Sequence, residues 1–323
     1  MQRHQLETCS QPCTVCGGSN VAVLATTSRS GNALRTVICQ DCGMVWSDPF
    51  PHNPRSFYED DYRVAYKGTF TPKPKHILRA GKVALSRRAL LGKWIEKPVK
   101  MLDVGTGGGE FAYLMQTLGH DVSGIEPNKG YAEYSREEYG LKVQIGFIQD
   151  INQAPESFDL ITIWHVLEHT ENPHDVLTKL HSLLKSQGIL VVEVPTIEAT
   201  CQSPKSTFHE AHIFNFNLAT LNKLAEKVGF TQVEHKVSAD GANMTVFFRK
   251  NAINESAKAQ QNFTIPGNAD KIIKIVKNHT AIRHYLTLWP YQRFFNRMSK
   301  AINEKLATAD FVSGKQLLDK LYT

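Results

Sequence analysis

Residues 99–126 read VKMLDVGTGGGEFAYLMQTLGHDVSGIE, and their reading decides the fold. An apolar run of β type, Val99 to Val104, enters a loop holding Gly105, Gly107, Gly108 and Gly109. A helical stretch from Glu110 to Leu118 follows, and a second strand closes at Glu126. That is a β-α-β unit. Glycines at such a turn let the backbone pass close to a ligand and leave helix N-terminal N–H groups facing it. An acid closing the second strand, about 20 residues on, sits where it can bond both hydroxyls of a ribose. The loop therefore asks for a nucleoside. A dinucleotide fingerprint needs glycine where Glu110 stands, and a P-loop needs Gly-Lys-Ser/Thr, which is absent.

Outward from this unit, strand and helix alternate as in a doubly wound sheet. After KMLDV and DVSGIE come the strands LKVQIGF, FDLITIW and GILVVEVP, with helices beginning at Glu110, Lys129 and Pro173. Asn172-Pro173 suits a helix start, and Gly188 is read as closing the loop after that helix. NLATLNKLAEKVGF, TQVEHKVS and ANMTVFFRK then read as helix, strand, strand.

The string LDVGTGGGEF followed by GIEPN resembles the motifs of class I S-adenosylmethionine (SAM)-dependent methyltransferases, over residues 99–250. The resemblance implies an α/β fold with a Rossmann-like seven-stranded sheet. It implies SAM lying against Gly105, Thr106, Gly107 and Gly109, with Asp103 supporting the loop and the ammonium side. Glu126 and the adjoining Pro127 would hold the ribose. Where the family commonly has an adenine-binding Asp, this chain has IGFIQD, so Phe147 and Ile148 are the expected adenine contacts and Asp150 a lesser one.

The chemically loaded stretch is ITIWHVLEHTENP. Ligands of open α/β sheets gather at the carboxyl ends of the strands, which puts Trp164, His165, Glu168 and His169 near the transferable methyl. His165-x-x-Glu168-His169 also matches an inverted zinc-peptidase string, but that string belongs inside a helix rather than at a strand-to-helix turn. The segment instead resembles small-molecule methyltransferases related to ubiquinone-biosynthesis O-methyltransferases, some of which have Glu-x-x-Glu-His and use a divalent ion. Here His165 replaces the first Glu, and magnesium prefers oxygen ligands. A second cluster, FHEAHIFNFN, offers His209 and His212 for base or substrate contact. His165 is the first expectation for a base and His209 or His212 the second, since an imidazole suits proton removal near neutral pH.

Four of the six cysteines form Cys13-x-x-Cys16-Gly and Cys39-x-x-Cys42-Gly, separated by 22 residues. This is the ligand spacing of a four-cysteine zinc ribbon, structural because four thiolates leave no open position. Disulfides are disfavoured in a reducing compartment, and a thioredoxin-like pattern is missing around the pairs. Cys9 and Cys201 are spare, Cys9 being close enough in sequence to serve as a backup ligand. VAVLATTS and LRTVIC read as ribbon strands. CGMVWSDPFP and FYEDDY resemble the zinc-binding region on a group of bacterial methyltransferases, several acting on sugars or other small metabolites. Tyr58 and Tyr62 are expected to help cover the site or to pack the ribbon.

The net charge of +6 is uneven: 14 Lys+Arg against 7 Asp+Glu in residues 1–98, 12 against 19 in 99–250, and 11 against 5 in 251–323. No dense basic stripe marks nucleic-acid binding. No leader-like or membrane-spanning apolar run is evident, so a cytoplasmic chain is expected. Four parts follow: a ribbon (9–50), an aromatic linker with a covering helix (51–98), the SAM-binding core (99–250) and a helical extension (251–323). The extension reads as a polar linker and helices broken at Pro290, which pack on the core, form a dimer or lie on a membrane surface, packing being favoured. The expected activity is SAM-dependent O- or C-methylation of a small molecule such as a sugar or quinone-like metabolite, with structural zinc. An RNA methyltransferase gripping its substrate through the ribbon and basic flanks, and a SAM-binding scaffold without turnover, are the alternatives.

Overall fold

The computed structural model describes residues 9–50, 72–251 and 263–323. Tyr58 and Tyr62 lie outside the described residues. The chain divides into two compact units, residues 55–163, 182–190 and 293–323 forming one, and 1–54, 164–181 and 191–292 the other.

In the first of these, the glycine-loop unit is built as the sequence predicts. β4 (Lys100–Val104) leads through the loop to α2 (Glu110–Thr117), then β5 (Asp121–Glu126), α3 (Lys129–Tyr139), β6 (Lys142–Ile145) and β7 (Phe158–Trp164). β4 pairs in parallel with β5 and with β7, and β5 with β6. β7 is apolar nearly throughout and buried along almost its whole length, as a strand covered on both faces must be. α1 (Pro74–Leu91) precedes the sheet, and the chain's last helix, α9 (Gly314–Tyr322), returns onto it. Leu318 and Leu321 press against Gly81, where a Cβ would stand 2.6 and 2.7 Å from them. The Tyr322 hydroxyl donates to the Glu110 carbonyl at 2.8 Å, and Tyr113 bonds Asp319. The end of the extension thus packs on the helices around the glycine loop.

The other unit holds a four-stranded antiparallel ribbon sheet, β1 (Val21–Thr27), β2 (Ala33–Cys39), β3 (Val45–Ser47) and β9 (Phe214–Asn215). The sequence reading does not include β3 and β9, because two or three residues show no periodicity. Ala22, Ile38 and Val45 pack with Ile197, Phe208, Ala269 and Ile272 in one apolar cluster. α5 (Leu218–Val228) starts on a reciprocal cap between Asn217 and Thr220 and ends at Gly229 in the left-handed region. β10 (Phe230–Val237) and β11 (Asn243–Lys250) follow as an antiparallel pair.

Among the described residues the large sheet has seven strands in the order β10-β11-β8-β7-β4-β5-β6, where β8 is Leu184–Pro195. β8 follows α4 (Pro173–Leu183) without a break, so Gly188 lies inside a strand and closes no loop. A Cβ there would stand 2.9 Å from the Lys185 carbonyl and 3.2 Å from that of Asp159, so close backbone approach explains the glycine. The extension's helices do break next to Pro290, between Tyr285 and Trp289, and Pro290 itself is the second residue of α8 (Trp289–Ala307), where its missing N–H is not needed. The extension's other helices are α6 (Asn268–Asn278) and α7 (Ala281–Tyr285).

Candidate active site

The glycine loop is stitched to the end of β5. Gly105 and Thr106 donate their N–H groups to the Ile125 carbonyl, at 2.8 and 3.0 Å. Gly107 N–H donates to Glu126 Oε2 at 2.8 Å, and Asn128 N–H to Oε1 at 3.0 Å. These loop N–H groups therefore serve the turn itself, rather than facing outward as the sequence suggests. Gly105, Gly107 and Gly109 have φ of 74°, 62° and 91°, which strains any residue with a side chain. Glu126 is 3% exposed. A carboxylate has lone pairs for about four hydrogen bonds, so anchoring the loop does not preclude accepting a hydroxyl.

Asp103, at the heart of β4, accepts from the Thr106 hydroxyl at 2.6 Å and the Thr162 hydroxyl at 2.7 Å. Burial pushes its carboxyl up, while the two hydroxyls and the Arg87 charge pull the other way. Thr162, which the sequence reading overlooks, thus ties β7 to the loop's acid. Pro127 follows Glu126 at the strand end, half-buried. Ile148 is buried and opens a 3₁₀ turn (Ile148–Asp150) beside half-buried Phe147, whereas Asp150 is exposed. A buried carboxylate, a positive-φ glycine turn and an apolar flank fit the ribose, the close approach and the adenine of a nucleoside such as SAM.

The histidine cluster is equally compact. Trp164 ends β7, buried, and His165 turns the chain at φ 55°, a left-handed conformation uncommon for a non-glycine residue. Its ring lies between two carboxylates: Nδ1 is 3.3 Å from Glu168 Oε1, and Nε2 3.3 Å from Glu193 Oε1. Burial works against a charged ring, but Glu168 and Glu193 outweigh it and raise the His165 pKa to about 9. Glu168, fully buried, is disfavoured as an anion by desolvation, yet its histidine neighbours hold it down at about 2. His165 and Glu168 are therefore an ion pair at neutral pH.

Around them, His169 Nδ1–H donates to the Ala211 carbonyl at 2.7 Å, which turns Nε2 toward Glu168 Oε1 at 3.8 Å. His212 meets His169 edge-on and stacks on His209, with ring centroids 4.8 Å apart in both pairs. His209 Nδ1 accepts from the Ala211 N–H at 2.9 Å. Burial, reinforced by cationic neighbours, lowers His209 to about 4 and His212 to about 3, so both are neutral at pH 7. Donor atoms of Glu168, His169 and His212 lie within 4.8 Å of one another, a spacing that could hold a metal ion. The pairing of Glu168 with His165 equally makes this a proton and charge network. Glu193, overlooked in sequence, is the member that completes it. A lone acid inside the apolar run GILVVEVP was the available signal.

In the ribbon, Cys13 Sγ lies 3.4 Å from Cys42 Sγ and Cys16 Sγ 3.5 Å from Cys39 Sγ, with all four sulfurs within 4.8 Å. Thiolates about 2.3 Å from a tetrahedral zinc stand about 3.8 Å apart, so this cluster fits a structural zinc. Gly17 and Gly43, at φ 77° and 79°, turn the chain after each second cysteine. Asn268, at the start of α6, donates to the Cys42 carbonyl at 2.8 Å, and Lys227 reaches the Thr14 carbonyl at 3.2 Å. Cys9 and Cys201 stand outside the cluster.

Residues 76–235 match the family model of a methyltransferase domain. The ubiquinone biosynthesis O-methyltransferase of Glaesserella parasuis serovar 5 (strain SH0165) is 31% identical over 144 residues, 41% of this chain and 58% of that protein. Its counterpart in Actinobacillus pleuropneumoniae serotype 5b (strain L20) is 33% identical over 131 residues, 36% of this chain and 53% of that protein. The chain thus spans about half the length of the curated relatives it matches. The crystal structure of the PH0226 protein from Pyrococcus horikoshii OT3 superposes with a TM-score of 0.51 at 17% identity, over 59% of this chain and 99% of that one, and shows the shared fold. The residues that match this methyltransferase domain carry a glycine loop and a sheet order of the class I SAM-dependent type. They are joined to an N-terminal four-cysteine ribbon that fits zinc.

Proposed function

We propose that the protein transfers the SAM methyl group to a small-molecule acceptor through an ionisable hydroxyl, as in a phenol or a sugar. The observation that carries the reading is the His165 ring set 3.3 Å from both Glu168 and Glu193, which favours its protonated form. When bound, SAM supplies an electrophilic methyl on a sulfonium, which leaves as the neutral thioether once the acceptor oxygen's electron pair forms the new bond. Glu126 accepts the ribose hydroxyls, the turn at Gly105, Thr106, Gly107 and Gly109 passes the methionine part, and Asp103 holds that turn. Phe147 and Ile148 flank the adenine. Both N–H groups of the His165 ring are given to Glu168 and Glu193, so the ring acts on the acceptor through its charge: the hydroxyl gives its proton to solvent before the site closes, and the nearby imidazolium favours the resulting oxyanion. This differs from a base role, because a ring already protonated at neutral pH has no lone pair to take a proton. His209 and His212, both neutral, and His169 orient the acceptor, and Trp164 shields it from water.

The curated relatives named as ubiquinone biosynthesis O-methyltransferases support oxygen as the acceptor atom. The four-part division at residues 9–50, 51–98, 99–250 and 251–323 belongs to the same proposal, as does a cytoplasmic location, where thiols stay reduced for zinc. Among the described residues, no helix is long and apolar enough to cross a membrane. The test is transfer of labelled methyl from SAM into a panel of catechols and sugars. The expected result is a product with at least one hydroxyl acceptor and a large loss of kcat in His165→Asn with KM for SAM retained. Transfer into RNA alone, or no transfer to any panel member, would refute it.

A further inference from the structure

Residues 282–291, IRHYLTLWPY, follow the ribbon-side core and lie outside the residues that match the methyltransferase domain. Ile282, Tyr285, Leu286, Leu288 and Tyr291 are each more than half exposed, Leu286 at 81%. Large apolar side chains this crowded on a surface mark a contact face. Beside them is a groove of about 380 Å³ whose lining includes Lys274, Asn278, His279, Arg283, His284 and Trp289, and none of its nine lining residues is acidic. Lys271, one turn away, is already engaged by Glu198 at 2.7 Å. Lys274 and Arg283 are therefore the cations that define the groove. His284 is buried at its wall, 5% exposed, and its Nδ1 has no hydrogen-bond partner among the described residues.

Two cations and amide and imidazole donors in one concavity suit a phosphate oxyanion. Ile282, Tyr285, Leu286 and Leu288 are carried on a five-residue helix and the turn after it, too short to form a flat stripe of the kind that pairs with another helix. They suit shallow insertion at the boundary between headgroups and acyl chains, where Trp and Tyr rings also partition. The basic balance of residues 251–323, 11 Lys+Arg against 5 Asp+Glu, has the matching sign.

We propose that residues 274–291 form a peripheral docking site for an anionic phospholipid surface, with a headgroup phosphate in the Lys274–Arg283 groove and Ile282, Leu286 and Leu288 entering the acyl boundary. The experiment is co-sedimentation of the full chain with vesicles of phosphatidylcholine alone and of phosphatidylcholine mixed with phosphatidylglycerol. The chain pellets with the mixed vesicles only, and less so as salt is added. Lys274→Glu with Arg283→Glu weakens pelleting by about tenfold or more. Ile282→Ser with Leu286→Ser weakens it at unchanged low-salt conditions, while both pairs of variants keep wild-type circular dichroism and SAM binding. Absence of binding to the mixed vesicles, or variants that pellet like the wild type, would overturn the proposal. So would glycerol phosphate bound in the groove by a chain that ignores vesicles. A dimer in sedimentation equilibrium that Leu286→Ser dissolves, again without vesicle binding, would assign the face to a second copy instead.

Discussion

Replacing Glu168 by Gln removes one of the two charges that hold the His165 ring protonated and nearly preserves shape. Both carboxylates stand 3.3 Å from the ring, and together they overcome burial by the interval from 6.5 to about 9. If they act equally, one alone supplies less than half of that net rise once the unchanged penalty of burial is set against it. The ring in Glu168→Gln then titrates clearly below the wild type and nearer its ordinary value, a loss on the order of 1–2 kcal/mol of preference for the imidazolium before water screening of a ring 34% exposed is counted. Because Glu168 is the more buried partner, at 2% against 12% side-chain exposure, the fall should be larger still. The sign for stability follows from the raised pKa. The contribution of His165 is complete below pH 6.5 and is lost as pH rises through about 9, and in the variant that loss begins earlier. The assay is NMR of isotope-labelled histidine rings against pH. A wild-type His165 that titrates near 6.5, or a variant that titrates where the wild type does, would refute the reasoning.

Further predictions concern the scaffold. Thr162→Val keeps volume but removes a hydroxyl from buried Asp103, so denaturant unfolding should show a loss of about 1.5–3 kcal/mol, and Asp103→Asn should shrink that cost in a double-mutant cycle. Gly109→Ala places a Cβ 2.7 Å from Leu141 and 2.8 Å from Ser135 at φ 91°, so reduced stability and weaker SAM binding are expected together. One zinc per chain should be found by metal analysis, and Cys39→Ser should lose it while the thermal transition becomes broader and lower.

The glycine-loop unit was legible because its signals are local: strand, turn and acid lie within one β-α-β unit, although the bond from Gly107 N–H to Glu126 was not part of that reading. The cysteine pairs were legible for the same reason. The charge state of His165 was not, because it depends on Glu193, contributed by another strand and 28 residues away in a run that reads as plain apolar core. Thr162 was hidden likewise: a threonine in a β-branched strand signals propensity, and only the parallel register opposite Asp103 gives it a task. Gly188 misled because glycine punctuates loops on average, whereas here it accommodates a close backbone.

Whether the turn at residues 105–109 and Glu126 hold SAM is tested most directly by calorimetry of the full chain with SAM and with its demethylated product. The expected result is saturable binding of both by the wild type and at least tenfold weaker binding by Glu126→Ala, about 1.4 kcal/mol, with the fold intact by circular dichroism. Wild-type protein that binds neither ligand, or a Glu126→Ala variant that binds both as tightly, would contradict it.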